Sequence, residues 1–412
     1  MKKLVRPSKI SGTVVAPPSK SVAQRAIALA SMAKGQSEIY NIGNSSDCLA
    51  AIGICKSLGT FVEGDGSKLI INGGIKAPKE PLNCGESGFG ARVFSSIVAT
   101  LKSEVVLTGE GSLQSRPMQM VSDALVQLGA TCVTNSGFLP IKVKGPIQGG
   151  NVIVDGSVSS QVLSGLLMAA PLSEASVKIT VRNLKSIPYV LLTIDMMKTF
   201  GVSVENVNNM EFCVRVPQQY SPVKYDVEGD WSSAAFMLVA GAIAGEVEVK
   251  NLNPDSYQAD REIVKALQLA GAQVLVKDNS VLISKDRLVG FNFDATHCPD
   301  LFPPLVALAS QCVGESKITG TSRLQAKESN RTAALVKEFG KMGVEISVQN
   351  DSMFIRGGKI NAASVDSHND HRIAMACAIA AINADAPIFI ENADVVTKSF
   401  PDFFEQLNQI QC

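Results

Sequence analysis

Residues 267–285 read LQLAGAQVLVKDNSVLISK. The first residues end a helical pattern, and Gly271 suits the left-handed position that closes a helix. Alternating apolar residues flank Asp278-Asn279, which reads as a strand, a turn and a returning strand. The same pattern occurs five times, at Leu58-Gly59, Leu128-Gly129, Phe200-Gly201, Ala270-Gly271 and Met342-Gly343, at intervals of 70, 72, 70 and 72 residues. The strand–turn–strand stretches are TFVEGDGSKLIING, ATCVTNSGFLPIKVKG, VSVENVNNMEFCVRV, AQVLVKDNSVLISK and VEISVQNDSMFIRGG.

A second element repeats at the same period. It is a helix of small and apolar residues, followed by a short strand. Six copies start near Ser19, Gly88, Ser159, Trp231, Asp300 and Asp370, with strands centred on Ile39, Val106, Ile179, Val247, Ile318 and Phe389. Stretches such as VLSGLLMAAPL and AAFMLVAGAIAG are apolar over most of their circumference, which points to buried helices. The other helix of each unit is amphipathic and is expected to face solvent. Six α/β units of about 70 residues account for nearly the whole chain. The sixth is split: its strand and outer helix are 387–410, and residues 2–15 are expected to be its hairpin. The six divide as three and three, into a discontinuous domain (1–16 plus 228–412) and an inserted domain (17–227). Two connections, near 16–19 and 227–229, are expected to act as a hinge.

Composition narrows the function. The 412 residues carry 38 Lys and Arg against 38 Asp and Glu. No large positive field exists for a nucleic-acid backbone, and 5% aromatic residues argue against base stacking. At 46% hydrophobic residues the chain has ample material for cores. Residues 231–245 are apolar but too short to cross a bilayer, and Arg6-Pro7-Ser8 stands where a signal peptide needs an apolar run. Nine cysteines are scattered and never spaced C-x-x-C, which fits free thiols in a reducing cytoplasm. Neither a membrane nor a nucleic acid is expected as a partner.

Polar residues cluster at the N-termini of the buried helices: Pro18-Ser19-Lys20-Ser21 with Arg25, Gly85-Glu86-Ser87-Gly88 with Arg92, Ser157 with Ser159-Ser160-Gln161, Gly229-Asp230-Trp231-Ser232-Ser233, Pro299-Asp300, and Asn369-Asp370-His371-Arg372. Helix N-termini attract anions. Ser and Asp there can simply cap the helix. Capping does not explain Lys20, Arg25, Arg92 or Arg372, which oppose the helix dipole. A second set lies in the loops before the outer helices: Arg116, Ser186, Tyr189, Lys327, Glu328, Arg331 and Lys398. Arg116 taken alone reads as a solvated charge. Together these basic residues imply a local positive cleft for a multiply anionic substrate.

Other chemistries find little support. There is no G-x-x-x-x-G-K-[ST] phosphate loop and no G-x-S-x-G elbow, and GESGFG lacks the G-x-G-x-x-G order. His368 and His371 lie near Asp366 and Asp370, but no second cluster completes a metal site. Asp300 and Glu328 could do proton work, or each could be half of a structural ion pair.

Nine stretches in order, PPSKSVAQRAIALA, CGESGFGAR, LTGEGSLQSRP, DGSVSSQ, KSIPY, CPDLFPP, KESNR, NDHRIAMA and TKSFPDFFEQL, together resemble the enolpyruvyl transferase family, in the branch that acts on shikimate 3-phosphate. The resemblance covers residues 17–407. It implies two similar domains of three βαβαββ-type units each, six repeats in all, with the helices inside, an inside-out α/β barrel that closes around substrate. It implies transfer of the enolpyruvyl group of phosphoenolpyruvate to the 5-hydroxyl of shikimate 3-phosphate through a tetrahedral intermediate. Neither metal nor organic cofactor is implied, and a monomer is expected.

The family's motifs then assign roles. Lys20 would touch both substrates. Ser21, Arg25, Ser159, Ser160, Ser186 and Tyr189 would hold shikimate 3-phosphate, with Gln161 reaching towards phosphoenolpyruvate. Gly88, Arg92, Arg116, Arg331, Arg372 and Lys398 would surround phosphoenolpyruvate. Asp300, also touched by Lys327, would be the base towards the 5-hydroxyl, Glu328 the acid that protonates the methylene, and His371 an assistant. Three positions depart from the family. Asn330 stands where Asp is common, which implies a lost orienting charge for Arg331. Arg323 stands where Asn is common and receives no role. Phe89 and Gly90 replace smaller or hydroxyl residues beside Gly88. Two rival readings remain. The sister UDP-N-acetylglucosamine enolpyruvyl transferases use a cysteine in the loop that is here 108–116, which holds none. A non-catalytic repeat scaffold would have eroded Lys20, Asp300, Glu328 and Lys398, all of which stand.

Overall fold

The structure, a computed structural model, describes residues 1–325 and 327–412. Among the described residues the α-helices are α1 (Lys20–Met32), α2 (Ser46–Ser57), α3 (Gly88–Val98), α4 (Gln119–Gln127), α5 (Ser160–Ala169), α6 (Ile187–Thr199), α7 (Trp231–Ala244), α8 (Ile263–Leu269), α9 (Phe302–Ala309), α10 (Arg331–Lys341), α11 (His371–Ala381) and α12 (Phe403–Ile410). Odd and even helices differ in kind. Every residue of α3, α9 and α11 is buried. Helices α4 and α10 bury one face only. Each fully buried Leu, Ile or Phe side chain contributes about 1.5–3 kcal/mol.

The helix ends explain the 70-residue rhythm. Gly59, Gly129, Gly201, Gly271 and Gly343 all take positive φ, between 77° and 90°. At the fourth, the Gly271 N–H donates to Gln268 O (3.0 Å) and the Ala272 N–H to Leu267 O (3.0 Å). This double bond pattern satisfies the last carbonyls and turns the chain sharply into the next strand. A side chain in that left-handed conformation would be strained.

Each unit then builds a small sheet. Asn292–Asp294 runs parallel to Glu315–Thr319, which pairs antiparallel with Ser352–Arg356, which pairs antiparallel with Glu345–Gln349. The same order recurs in the other four-stranded sheets. The chain forms two compact units, Met1–Pro17 with Glu228–Cys412, and Pro18–Val227. Within the first, both chain ends meet: Lys3–Val5 pairs with Ile388–Glu391, and the Cys412 N–H donates to Lys9 O (3.0 Å).

Residues 2–15 do not form the expected hairpin. Lys3–Val5 joins the sheet of Ile388–Glu391, whereas Ile10–Val15 runs parallel to Gly245–Lys250 in a different sheet. The cause lies in strand length and in Pro7. Three residues are too few to pair stably with an immediate neighbour, and Pro7 lacks the N–H that a continuing ladder needs. Most cysteines are buried free thiols. Burial pushes Cys55 and Cys84 up to about 12. Among the described residues, no helix is long and apolar enough to cross a membrane.

Candidate functional site

In the unit that contains both chain ends, the N-termini of α9, α10 and α11 converge on one guanidinium. Arg331, the first residue of α10, is fully buried. Its Nε donates to Asp370 Oδ2 (2.7 Å) and its Nη2 to Asp370 Oδ1 (3.2 Å). Its Nη1 donates to Asp300 Oδ1 (2.7 Å), and Nη2 also reaches Glu328 Oε2 (2.6 Å). Burial would lower the guanidinium's proton affinity, but Asp370, Glu328 and Asp300 reverse this and hold it above its ordinary value.

Asp300 sits in the one-turn 3-10 helix Pro299–Leu301 that leads into α9. It accepts from Lys327 Nζ (3.1 Å), Arg331 Nη1 and Arg372 Nη2 (3.1 Å). Burial alone would raise its carboxyl. Arg372, then Lys327 and Arg331, outweigh burial and hold it well below the usual carboxylate range. Asp300 is therefore an ionised hydrogen-bond acceptor and, in this arrangement, a weak base. Lys327 is lowered by burial, with Asp300 partly offsetting that and Arg331 adding to it. Arg323 also feels the Asp300 charge while burial lowers it.

Arg372 lies in the first turn of α11 and is nearly enclosed. Beyond Asp300, its Nη2 donates to Ser232 Oγ (3.2 Å), whose hydroxyl donates in turn to the buried Asp260. Its Nε and Nη1 are buried with no hydrogen-bond partner among the described residues. A desolvated guanidinium with open donors at a helix N-terminus favours negative charge beside it. His371 is fully buried, its Nδ1 3.8 Å from Asp370 Oδ1, whereas His368 bonds Glu338 Oε1 (2.7 Å). The two histidines thus serve separate partners. Lys398 is buried at the end of the 3-10 helix Ala393–Lys398, which packs against α11.

In the unit Pro18–Val227, the helix N-termini carry a second basic group. Arg25 is buried, and its donors go to neutral acceptors: Thr193 Oγ1 (2.8 Å), Ser21 O (2.8 Å) and Tyr189 O (3.3 Å). Its guanidinium lies 4.5 Å from the Phe89 ring centroid and 6.0 Å from that of Tyr189. Burial brings Arg25 down to about 10, against the opposing effect of Tyr189 and Tyr225. Lys20 pairs with Asp47 Oδ2 (3.0 Å). Arg92 Nη1 donates to Gln161 Oε1 (2.7 Å), and Nη2 to Pro117 O (3.1 Å), beside the buried Arg116. Gly88 has to be Gly for Arg116 to lie there: a Cβ would stand 2.6 Å from Arg116 Nη1. Ser159 caps α5 through the Gln161 N–H (3.3 Å), with Ser160 buried beside it. Ser186 precedes α6 with φ 56° and is buried.

One expectation about the departures changes. Asn330 caps α10, its Oδ1 accepting from the Ala333 N–H (3.2 Å). Arg331 has not lost its orienting charge, because Asp370 supplies it from another helix. Phe89 is a ring face against Arg25. Sequence reasoning missed Asp370 as more than a cap, and gave no role to Asp47, Thr193, Ser232 or Asp260. Asp47 stands in the first turn of α2, where Asp is common for the dipole alone. Only its pairing with Lys20 distinguishes it.

Comparison with known proteins bears on this geometry. The sequence profile described as EPSP synthase (3-phosphoshikimate 1-carboxyvinyltransferase) matches residues 4–407. A 3-phosphoshikimate 1-carboxyvinyltransferase of Methanocorpusculum labreanum is 40% identical over 416 residues, covering 100% of this chain and 98% of the relative. One of Clostridium kluyveri is 38% identical, covering 98% and 96%. An EPSP synthase structure from Acinetobacter baumannii is similar with TM-score 0.83 at 26% identity, covering 100% and 98% of the two chains.

Proposed function

Because this chain belongs to the EPSP synthase family, we propose that the basic groups at its buried-helix N-termini bind shikimate 3-phosphate and phosphoenolpyruvate for enolpyruvyl transfer. The reaction joins the enolpyruvyl group to the 5-hydroxyl of shikimate 3-phosphate and releases inorganic phosphate. Each substrate carries a phosphate and a carboxylate, and guanidinium groups pair with both through charge-assisted hydrogen bonds. One observation carries the assignment of the site: Arg372 is buried with Nε and Nη1 open among the described residues. Arg25 supports it, because among the described residues its buried charge has only neutral hydrogen-bond partners.

The roles divide by unit. Lys20, Ser21, Arg25, Ser159, Ser160, Ser186 and Tyr189 hold shikimate 3-phosphate, with Gln161 beside Arg92 extending towards phosphoenolpyruvate. Gly88, Arg92 and Arg116 form one group around phosphoenolpyruvate, and Arg331, Arg372 and Lys398 another. Asp300 accepts the hydrogen bond of the 5-hydroxyl, with Lys327 setting its charge. Glu328 delivers the proton to the methylene carbon, and His371 supports the turn that carries Arg372. Phosphate release with both substrates tests the reaction, with UDP-N-acetylglucosamine as competing acceptor. Release with shikimate 3-phosphate alone as acceptor is expected; release only with the nucleotide sugar would overturn it.

Arg116→Ala should weaken phosphoenolpyruvate by roughly tenfold or more and shikimate 3-phosphate by less than about twofold, since a lost charge-assisted pair costs about 1.5–3 kcal/mol. Calorimetry on each ligand checks this, and equal losses would reject the role.

A further inference from the structure

Arg331 uses its two edges differently. The side edge, Nε with Nη2, is held by Asp370 at 2.7 and 3.2 Å. The end edge, Nη1 with Nη2, is held by Asp300 at 2.7 Å and Glu328 at 2.6 Å. The holders also differ in access. The Asp370 side chain is 0% exposed, whereas Asp300 and Glu328 keep 22% and 11%.

We propose that Asp370 is a positioning residue: it holds the side edge of Arg331 so that the end edge is presented to the carboxylate of phosphoenolpyruvate, in exchange for Asp300 and Glu328. This rests on the reading given above. A planar carboxylate fits two parallel donors of one guanidinium edge. The side edge is not exchangeable, because Asp370 is wholly buried and an unpaired buried carboxylate is costly. The end edge is exchangeable, because Asp300 keeps Lys327 and Arg372 after Arg331 is taken. Asp370 also accepts from the Arg372 N–H (3.0 Å) and from Ser329 Oγ (3.1 Å). One carboxylate therefore ties the α10 guanidinium to the α11 turn that carries Arg372. The exchange loosens both carboxylates needed for proton transfer at the moment phosphoenolpyruvate arrives.

Asp370→Asn separates the charge from the cap, since Asn caps a helix as well as Asp. Its amide cannot accept from both Nε and Nη2 as the carboxylate does. At saturating shikimate 3-phosphate, KM for phosphoenolpyruvate should rise roughly tenfold, the order of one weakened charge-assisted pair. Calorimetric affinity for shikimate 3-phosphate should stay within about twofold. In an Arg331→Lys background the same change should add less than about twofold, because the fork that Asp370 orients is already gone. A merely structural role would lower the folded fraction equally in both backgrounds and leave KM unmoved. An unchanged KM in Asp370→Asn, or equal factors in the two backgrounds, would overturn the assignment. Wild-type protein that releases no phosphate from the substrate pair would overturn the functional reading and this inference with it.

Discussion

Glu328→Gln should keep shikimate 3-phosphate binding within about twofold of wild type while turnover falls roughly 100-fold or more, the usual range for a lost general acid. The amide preserves shape and can still accept from Arg331 Nη2, so the site should stay assembled. What disappears is the carboxyl group that the proposed role has deliver the proton. Asp300→Asn should differ. It should slow turnover and also weaken shikimate 3-phosphate, because in the proposed role the Asp300 carboxylate would accept the 5-hydroxyl hydrogen bond. Arg372, Lys327 and Arg331 hold that carboxylate well below its usual range despite burial, so its basicity is low in this arrangement. Solvent exchange at the phosphoenolpyruvate methylene separates the two roles. Wild-type exchange in Glu328→Gln would mean that another group is the acid.

Arg331→Leu should destabilise the protein by about 3–5 kcal/mol, the range for removing one partner of a buried ion pair. Asp370 is wholly buried and loses the guanidinium that holds both its oxygens. Asp300 keeps two cations, so the cost concentrates at Asp370. Asp370→Asn on top of Arg331→Leu should therefore recover part of the loss, as coupled neighbours do. Urea unfolding measures all three variants against wild type. A loss under about 1 kcal/mol for Arg331→Leu would show that the cluster is not a stabilising network.

Much of this fold is legible because it is written locally. A glycine at positive φ after an amphipathic helix is a local requirement, and Gly59, Gly129, Gly201, Gly271 and Gly343 all meet it. The buried helices are equally local, since beyond their first turns α7 and α11 are apolar round most of their circumference. The failure at residues 2–15 is non-local. Nothing in KLV announces that its partner is Ile388–Glu391. The site divides in the same way. Arg25 and Arg372 stand out because they oppose a helix dipole. Asp370, Asp47 and Asp260 do not, because an Asp at a helix start already has a sufficient local reason to be there. Only the third dimension shows that Asp370 faces Arg331 from another helix.

The pairing of both chain ends in one unit sets an order of assembly on the ribosome. All strands and helices of Pro18–Val227 emerge consecutively, so that unit can fold while the rest is still being translated. The leading segment cannot. Lys3–Val5 must wait for Ile388–Glu391, and Ile10–Val15 for Gly245–Lys250. At about 5–20 residues per second, the first of these waits lasts roughly 20–80 s. Throughout it, the short strand Lys3–Val5 lacks its partner, and the charges of Lys2 and Lys3 on an open edge discourage pairing with the wrong strand.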